Sequence, residues 1–241
     1  MKVLILGAAG PVAAAAITAL EPYHTLTLTD VKPIESRHPT RIVDITDFKQ
    51  IRAAAEGHDA IVNFTVNRYD PVGAFHVNLM GAYHVMQAAV ACGIRRVVHT
   101  GPFLIYGETY MDDFDIPDDC PPRPGTGLYS LTKYLGQETC RIFAEAHHLE
   151  VPCLLFCGFL DPTEAIKGIY TFTVSWRDSG EAVRCAVEVP GLPRPFEVFH
   201  ILSDLPHRKY SNEKAKRLLG WQPQDDFEQG WKIKVNSSSN G

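Results

Sequence analysis

The chain has 241 residues and a formal charge of -5, from 23 Lys and Arg against 28 Asp and Glu. With 45% hydrophobic and 21% charged residues, it has the composition of one large or two small globular domains, and not of a disordered chain or a fibre. The acidic balance gives no reason to bind nucleic acid or an anionic membrane, no apolar run nears the roughly 20 residues that cross a bilayer, and six scattered cysteines with neither a C-x-x-C pair nor a signal peptide read as reduced thiols of a cytoplasmic protein.

In chain order, Met1 to Leu6 is an apolar run of strand type that meets a glycine-rich turn at Gly7, and Ala13 to Leu20 carries strong helix formers. Strands are predicted at Leu26–Thr29 and Arg41–Val43, then a helix capped by Thr46 or Asp47 that runs through Glu56 and stops at Gly57. A strand at Ala60–Phe64 precedes a long helix from Pro71 to Ala91, with Gly93 just past its end. Arg96–Thr100 is a fifth strand, Leu128–His148 a helix and Val151–Cys157 a sixth strand.

This alternation predicts an α/β fold: a Rossmann-like, doubly wound parallel sheet covered on both faces. After Gly158 the rhythm breaks. A strand is predicted within Thr171–Trp176, a helix opened by a capping box at Asp178-Ser179-Gly180-Glu181 through about Val187, a strand at Glu197–Ile201, and a helix from Ser211 to Leu219 that ends at Gly220. The expected organisation is a dinucleotide-binding unit over 1–158, a small, truncated C-terminal appendage packed on it over 159–235, and a polar disordered tail over 236–241.

Gly7-Ala8-Ala9-Gly10-Pro11-Val12-Ala13 joins the first strand to the first helix. A dinucleotide needs a tight turn, a backbone bare enough for its pyrophosphate and a helix N-terminus facing the negative charge. Gly7 and Gly10 suit the turn and the approach, and Ala13 stands where a third glycine often lies, although small residues here also serve helix packing alone. Asp30 ends the second strand 20 residues after Gly10, where an acid takes ribose hydroxyls and repels a 2′-phosphate. NAD is therefore expected over NADP, with Lys32 and Arg37 the nearby cations that pull the other way. A solvated turn residue is the plainer reading of Asp30.

Tyr129 and Lys133 are four apart on a predicted helix and so share a face. A tyrosine titrates near pH 10, and a neighbouring cation brings it toward use as a base. The same spacing also suits a solvated helix face.

Together these motifs make the chain resemble the short-chain dehydrogenase/reductase superfamily, in its extended branch of NAD-dependent epimerases and dehydratases. Asp44-Ile45 resembles the adenine-side acidic position, Asn63-Phe64-Thr65 the segment ending the fourth strand beside the cofactor, and Asn78 the helix asparagine of the family. Ile105-Tyr106-Gly107, Pro121-Pro122-Arg123-Pro124 and Lys214 to Pro223 resemble three further signatures, so the likeness spans residues 2 to 223. It implies Tyr129 as general acid or base, Lys133 holding the nicotinamide ribose and lowering the tyrosine pKa, and hydride transfer to or from a sugar-like or small hydroxy or keto substrate. It also implies a homodimer through the helices near 71–91 and 128–148.

Two departures stand out. Counting back from Gly107, the family's catalytic Ser or Thr falls on Pro102, which offers neither hydroxyl nor N–H. Thr100, two residues earlier, is the replacement donor, unless it simply finishes its strand. The segment after the sixth strand is short, and Phe156-Cys157-Gly158 stands where a proline-arginine pair is common. An NAD-binding sensor or scaffold with little turnover is therefore the second reading. None of the ten histidines makes an H-x-x-x-H or H-E-x-x-H pair, so no metal is expected. Asp112, Asp113, Asp115, Asp118 and Asp119 read as a solvated acidic rim.

Overall fold

The computed structural model describes residues 1–107, 116–167 and 169–231. Asp112, Asp113 and Asp115, and the polar tail from 236, lie outside the described residues. β1 (Lys2–Leu6) leads through Gly7 into α1 (Pro11–Leu20), where Pro11 takes the first helical position. β2 (Thr25–Asp30) and β3 (Thr40–Ile42) follow, then α2 (Phe48–Ala55), whose cap is Asp47, with its carboxylate accepting from the amides of Lys49 and Gln50. After β4 (Ala60–Asn63), the long helix expected from Pro71 is present but interrupted. α3 (Pro71–Ala74) passes through a π turn at Phe75–Met80 into α4 (Gly81–Cys92), which Gly93 closes in the left-handed conformation. β5 (Arg96–Pro102), α5 (Leu128–His147) and β6 (Val151–Phe156) complete the first part.

Seven strands form one sheet in the order β3-β2-β1-β4-β5-β6-β9, every pair parallel. Side chains alternate faces along a strand. Leu4 and Leu6 therefore join one core with Ile51, Val85 and Met86, while Val3 and Ile5 join the other with Ala16, Leu20 and Val183. The strand order reverses between β1 and β4, which opens a crevice at their carboxyl ends.

Beyond residue 158 the chain first makes a short parallel pair, β7 (Gly158–Leu160) with β8 (Thr173–Ser175). β7 was not predicted, because three residues carry no readable alternation. α6 (Trp176–Glu188) starts before the expected capping box. Ser175 is its cap, its hydroxyl accepting from the Asp178 amide at 3.0 Å. Asp178 instead turns a buried carboxylate oxygen to the amides of Gln224 and Asp225, each at 2.9 Å, and so ties down the later chain. β9 (Phe196–His200) adds to the outer edge of the seven-stranded sheet, α6 packs along α1, and α7 (Glu213–Leu219) ends at Gly220. Segment 159–235, expected as an appendage, thus supplies one strand and one covering helix to the first 158 residues.

Candidate active site

The crevice at the switch point is a cavity of about 520 Å³. Gly7 and Gly10 form its floor, Asp30 and Asp44 with Ile45 one wall, and Phe64 and Thr65 the other. Gly7 has a φ of +77°, and a Cβ there would come 2.9 Å from the Thr65 amide nitrogen, so both conformation and space require glycine. The first turn of α1 carries no acidic residue, leaving its N–H groups to an anion. The Asp30 carboxylate accepts from the Ala9 amide at 3.1 Å and from Lys32 N–H at 3.2 Å, which holds it at the lip. Lys32 lines the cavity, whereas Arg37 pairs with Glu21 at 2.6 Å and is not among its lining residues. A bare turn, a helix N-terminus and a carboxylate at the end of β2 fit an adenine dinucleotide.

Three residues of the expected set stand behind these walls. Ala13 is fully buried between α1 and the sheet. The Asn63 carboxamide oxygen accepts from the amide and hydroxyl of Thr65. Asn78, inside the π turn, grips the backbone of Asn67 from both sides: its Oδ1 accepts from Asn67 N–H at 2.9 Å and its Nδ2 donates to Asn67 C=O at 2.7 Å. The same Nδ2 reaches Thr132 Oγ1 at 2.9 Å, one residue before Lys133. Gly136 lets the helices meet here, since a Cβ would lie 2.2 Å from the Asn78 carbonyl oxygen.

A second cavity, of about 150 Å³, shares Phe64 and Val66 with the first and is lined by Tyr129, Lys133, Thr100 and Pro102. The two α5 side chains therefore reach one space adjoining the crevice. Lys133 is 4% exposed and has no hydrogen-bond partner among the described residues, and burial pushes its ammonium down to about 8. Burial likewise raises the Tyr129 phenol above its ordinary value. The cation that opposes this is Arg68, whose guanidinium carbon lies 4.5 Å from the centre of the Tyr129 ring. In this structure Arg68, and not Lys133 as the sequence implied, is the charge that acts on the phenol. Arg68 follows the Asn63-Phe64-Thr65 segment in a loop, and no periodicity marks it.

Thr100 lines the cavity, yet its hydroxyl donates to the Asn63 carbonyl at 2.8 Å. A hydroxyl has one proton, so as placed here Thr100 has none for a substrate oxygen, and Pro102 beside it has none to give. Cys157 also lines the cavity, its thiol pushed up to about 11 by burial. Cys153, expected in the core, is fully buried.

The expected acidic rim fails at Asp118. This residue is 6% exposed, its carboxylate accepts from the His200 amide at 2.8 Å, and desolvation raises it to about 7. His200 Nδ1 is 3.0 Å from the same carboxylate, but burial lowers the imidazole to about 3 and Nδ1 meets the Ser211 carbonyl. The contact is therefore no ion pair at neutral pH. Among the described residues no helix is long and apolar enough to cross a membrane, and no group of three or more His, Cys, Asp or Glu could hold a metal ion.

The sequence profile of the NAD dependent epimerase/dehydratase family matches residues 3–163. The chain is 27% identical over 255 aligned positions to an L-arabinose 1-dehydrogenase (NAD(P)(+)) of Haloferax volcanii, covering 93% of this chain and 97% of that protein. Its fold superposes with a TM-score of 0.81 on a glucuronic acid dehydrogenase from Chromohalobacter salexigens, 21% identical, over 100% of this chain and 90% of the other. A short-chain dehydrogenase/reductase superfamily protein from Agrobacterium tumefaciens, solved with bound NAD, gives 0.79 at 19% identity over 95% and 94% of the two chains.

Proposed function

The chain belongs to the NAD dependent epimerase/dehydratase family, and from that premise we propose that it is an oxidoreductase acting on a single sugar or a sugar-like hydroxy compound. The observation that carries this reading is the meeting of Tyr129 and Lys133 in a cavity that opens beside the dinucleotide crevice. The cavity is small, about 150 Å³ against the roughly 300 Å³ of an ordinary ligand pocket, which favours a single sugar over a nucleotide-sugar. The curated relative whose name specifies a free pentose, aligned over almost its whole length, supports the same reading.

Gly7, Gly10 and the start of α1 would hold the diphosphate, Asp30 the adenosine ribose and Lys133 the nicotinamide ribose. NAD held there would supply the acceptor for the hydride of the substrate carbon. Tyr129, as the phenolate, accepts the proton of the substrate hydroxyl while that carbon becomes a carbonyl; in the reverse direction the phenol returns it. Arg68 sets its positive charge against the Tyr129 ring and favours the phenolate. Asn78 acts at one remove, keeping the loop of Arg68 and the backbone around Lys133 in register through Asn67 and Thr132.

A second reading, an NAD-binding sensor with little turnover, is favoured by one observation: Pro102 and Thr100 offer no free hydroxyl to the reacting oxygen. One experiment separates the two. Pentoses, hexoses and their acids are screened with NAD for absorbance of the reduced cofactor, with wild type and Pro102→Ser. Losing a single oxyanion donor costs on the order of a hundredfold or more, so slow turnover by wild type and a gain of tenfold or more, by order of magnitude, in Pro102→Ser is expected. NAD binding without turnover in either form would establish the sensor.

The reading includes a cytoplasmic protein that works as a homodimer. Val72, Phe75, Met80, Tyr83 and Val90 are exposed along the 71–92 segment, and Ile142 is exposed on α5, an apolar stripe suited to a second copy of the same helices. Light scattering should return twice the 26.8 kDa chain mass, and Tyr83→Arg should return the single mass; a wild-type monomer would remove the dimer from the reading.

A further inference from the structure

We propose that Arg68 makes this cavity selective for sugars that carry an anionic group, its guanidinium receiving a carboxylate or phosphate of the substrate beside Tyr129. The inference rests on the oxidoreductase reading above and adds the substrate's charge to it.

The chain as a whole has more acids than bases, yet the described residues lining this cavity include two cations, Arg68 and Lys133, and no Asp or Glu. Among the described residues no carboxylate lies within ion-pair distance of Arg68; the nearest acid in sequence, Asp70, spends its carboxylate on the Gly73 amide that opens α3. A cavity with low-dielectric walls and charge of one sign concentrates ligands of the other sign.

Arg68 is also held in place by its neighbours in the chain. Asn78 fixes both backbone groups of Asn67, and the Asn67 carboxamide oxygen accepts from the amides of Tyr69 and Asp70, so the chain is tied on each side of Arg68. The residue is exposed, but its position is built before any ligand arrives, which lowers the cost of ordering it. Its guanidinium rests against the Tyr129 ring, 4.5 Å from the centre. A cation that rests on an aromatic face keeps its N–H donors for a planar pair of oxygens, the fork that carboxylates and phosphates accept. Burial and the Arg68 charge both press the Lys133 proton off; an anion at this place relieves that pressure. Arg68 lines the Tyr129 cavity and not the Gly7 crevice, so the anion it awaits belongs to the substrate and not to the cofactor's diphosphate.

The test is calorimetry on the protein saturated with reduced NAD. Glucose and galactose, glucuronate and galacturonate, and the two hexose 6-phosphates are titrated into wild type, Arg68→Gln and Arg68→Lys, with melting curves to confirm that each variant is folded. At least one acid should bind wild type about tenfold or more tighter than its parent hexose, by order of magnitude, as one charge-assisted contact allows. Arg68→Gln should erase that margin, read as the ratio of acid to hexose affinity within the same variant, and Arg68→Lys should restore part of it. Preference for the carboxylates over the phosphates, or the reverse, identifies which anion is meant. Equal affinity for hexoses and both kinds of acid, unchanged acid binding in Arg68→Gln, or binding of none of the six overturns the inference. NAD reduction measured on the same six separates it from the reading it rests on. Acids that bind without being oxidised uphold the anion site and count against the oxidoreductase, while hexoses oxidised with no preference for acids do the opposite.

Discussion

Tyr129→Phe should cut turnover by about 10²–10⁴-fold, the range for removing a positioned proton acceptor, while NAD binding measured by calorimetry stays unchanged. The substitution takes away one oxygen and leaves the ring under Arg68, so the cavity wall and the cation against it persist. The proton of the substrate hydroxyl then loses its positioned acceptor, and three described neighbours do not replace it: Thr100 gives its own proton to a backbone carbonyl, Pro102 has no acceptor of its own in the side chain, and the Cys157 thiol stays protonated well above neutrality. Because burial raises the Tyr129 phenol above its usual value, the ionised base grows with pH, and kcat/KM of the wild type should climb from neutral into alkaline solution. The residual rate of the phenylalanine variant should lack that climb. Equal rates for the two proteins would remove Tyr129 from the chemistry.

Lys133→Met should abolish measurable turnover and, at the same time, stabilise the cofactor-free protein. An ammonium that is 4% exposed, with no hydrogen-bond partner among the described residues, is held at a cost. Its pKa falls from 10.5 to about 8 on folding. Between those values the unfolded chain holds more protons than the folded one, so stability rises with pH across that window; below about 8 the full penalty is present. At 1.36 kcal/mol per unit the penalty is of order 3 kcal/mol. Methionine fills much the same space without the charge, and a gain of about 1–3 kcal/mol at pH 7 is expected, several degrees in Tm for a chain of this size. The advantage should fade as the comparison is repeated toward pH 10.5, where the wild-type lysine sheds its proton in either state. A methionine variant that melts lower at pH 7 would show that Lys133 is stabilised by its surroundings and not endured by them.

Much of this architecture is legible in the residues, and the parts that are not have physical reasons. The alternating strands and helices to residue 157, the stop at Gly93 and the turn at Gly7 follow from local rules: apolar runs, caps and a positive φ that glycine tolerates. The π turn at Phe75–Met80 does not, because one extra residue per turn leaves the apolar spacing almost unchanged; its effect is felt only through Asn78 and the loop it grips. Ser175 outcompeted the Asp178 box as cap because the Asp178 carboxylate has a tertiary use, holding Gln224 and Asp225. Asp118 read as solvated because acids in a loop usually are, and only the fold brings His200 to it. The pair Tyr129 and Lys133 could be found from spacing, whereas Arg68 could not: it meets Tyr129 across a separation of some sixty residues, and a lone arginine in a loop resembles any other.

The late segment that completes the sheet has a consequence for how the molecule is made. α1 emerges from the ribosome early, but the helix it packs along spans Trp176–Glu188, and the outer neighbour of β6 is Phe196–His200. For most of its synthesis the nascent polypeptide therefore carries a naked alanine-rich flank and one raw strand margin, both adhesive. Stalled or clipped translation products that stop short of residue 200 should collect on chaperones, while the finished chain releases itself by closing both gaps from its own last third.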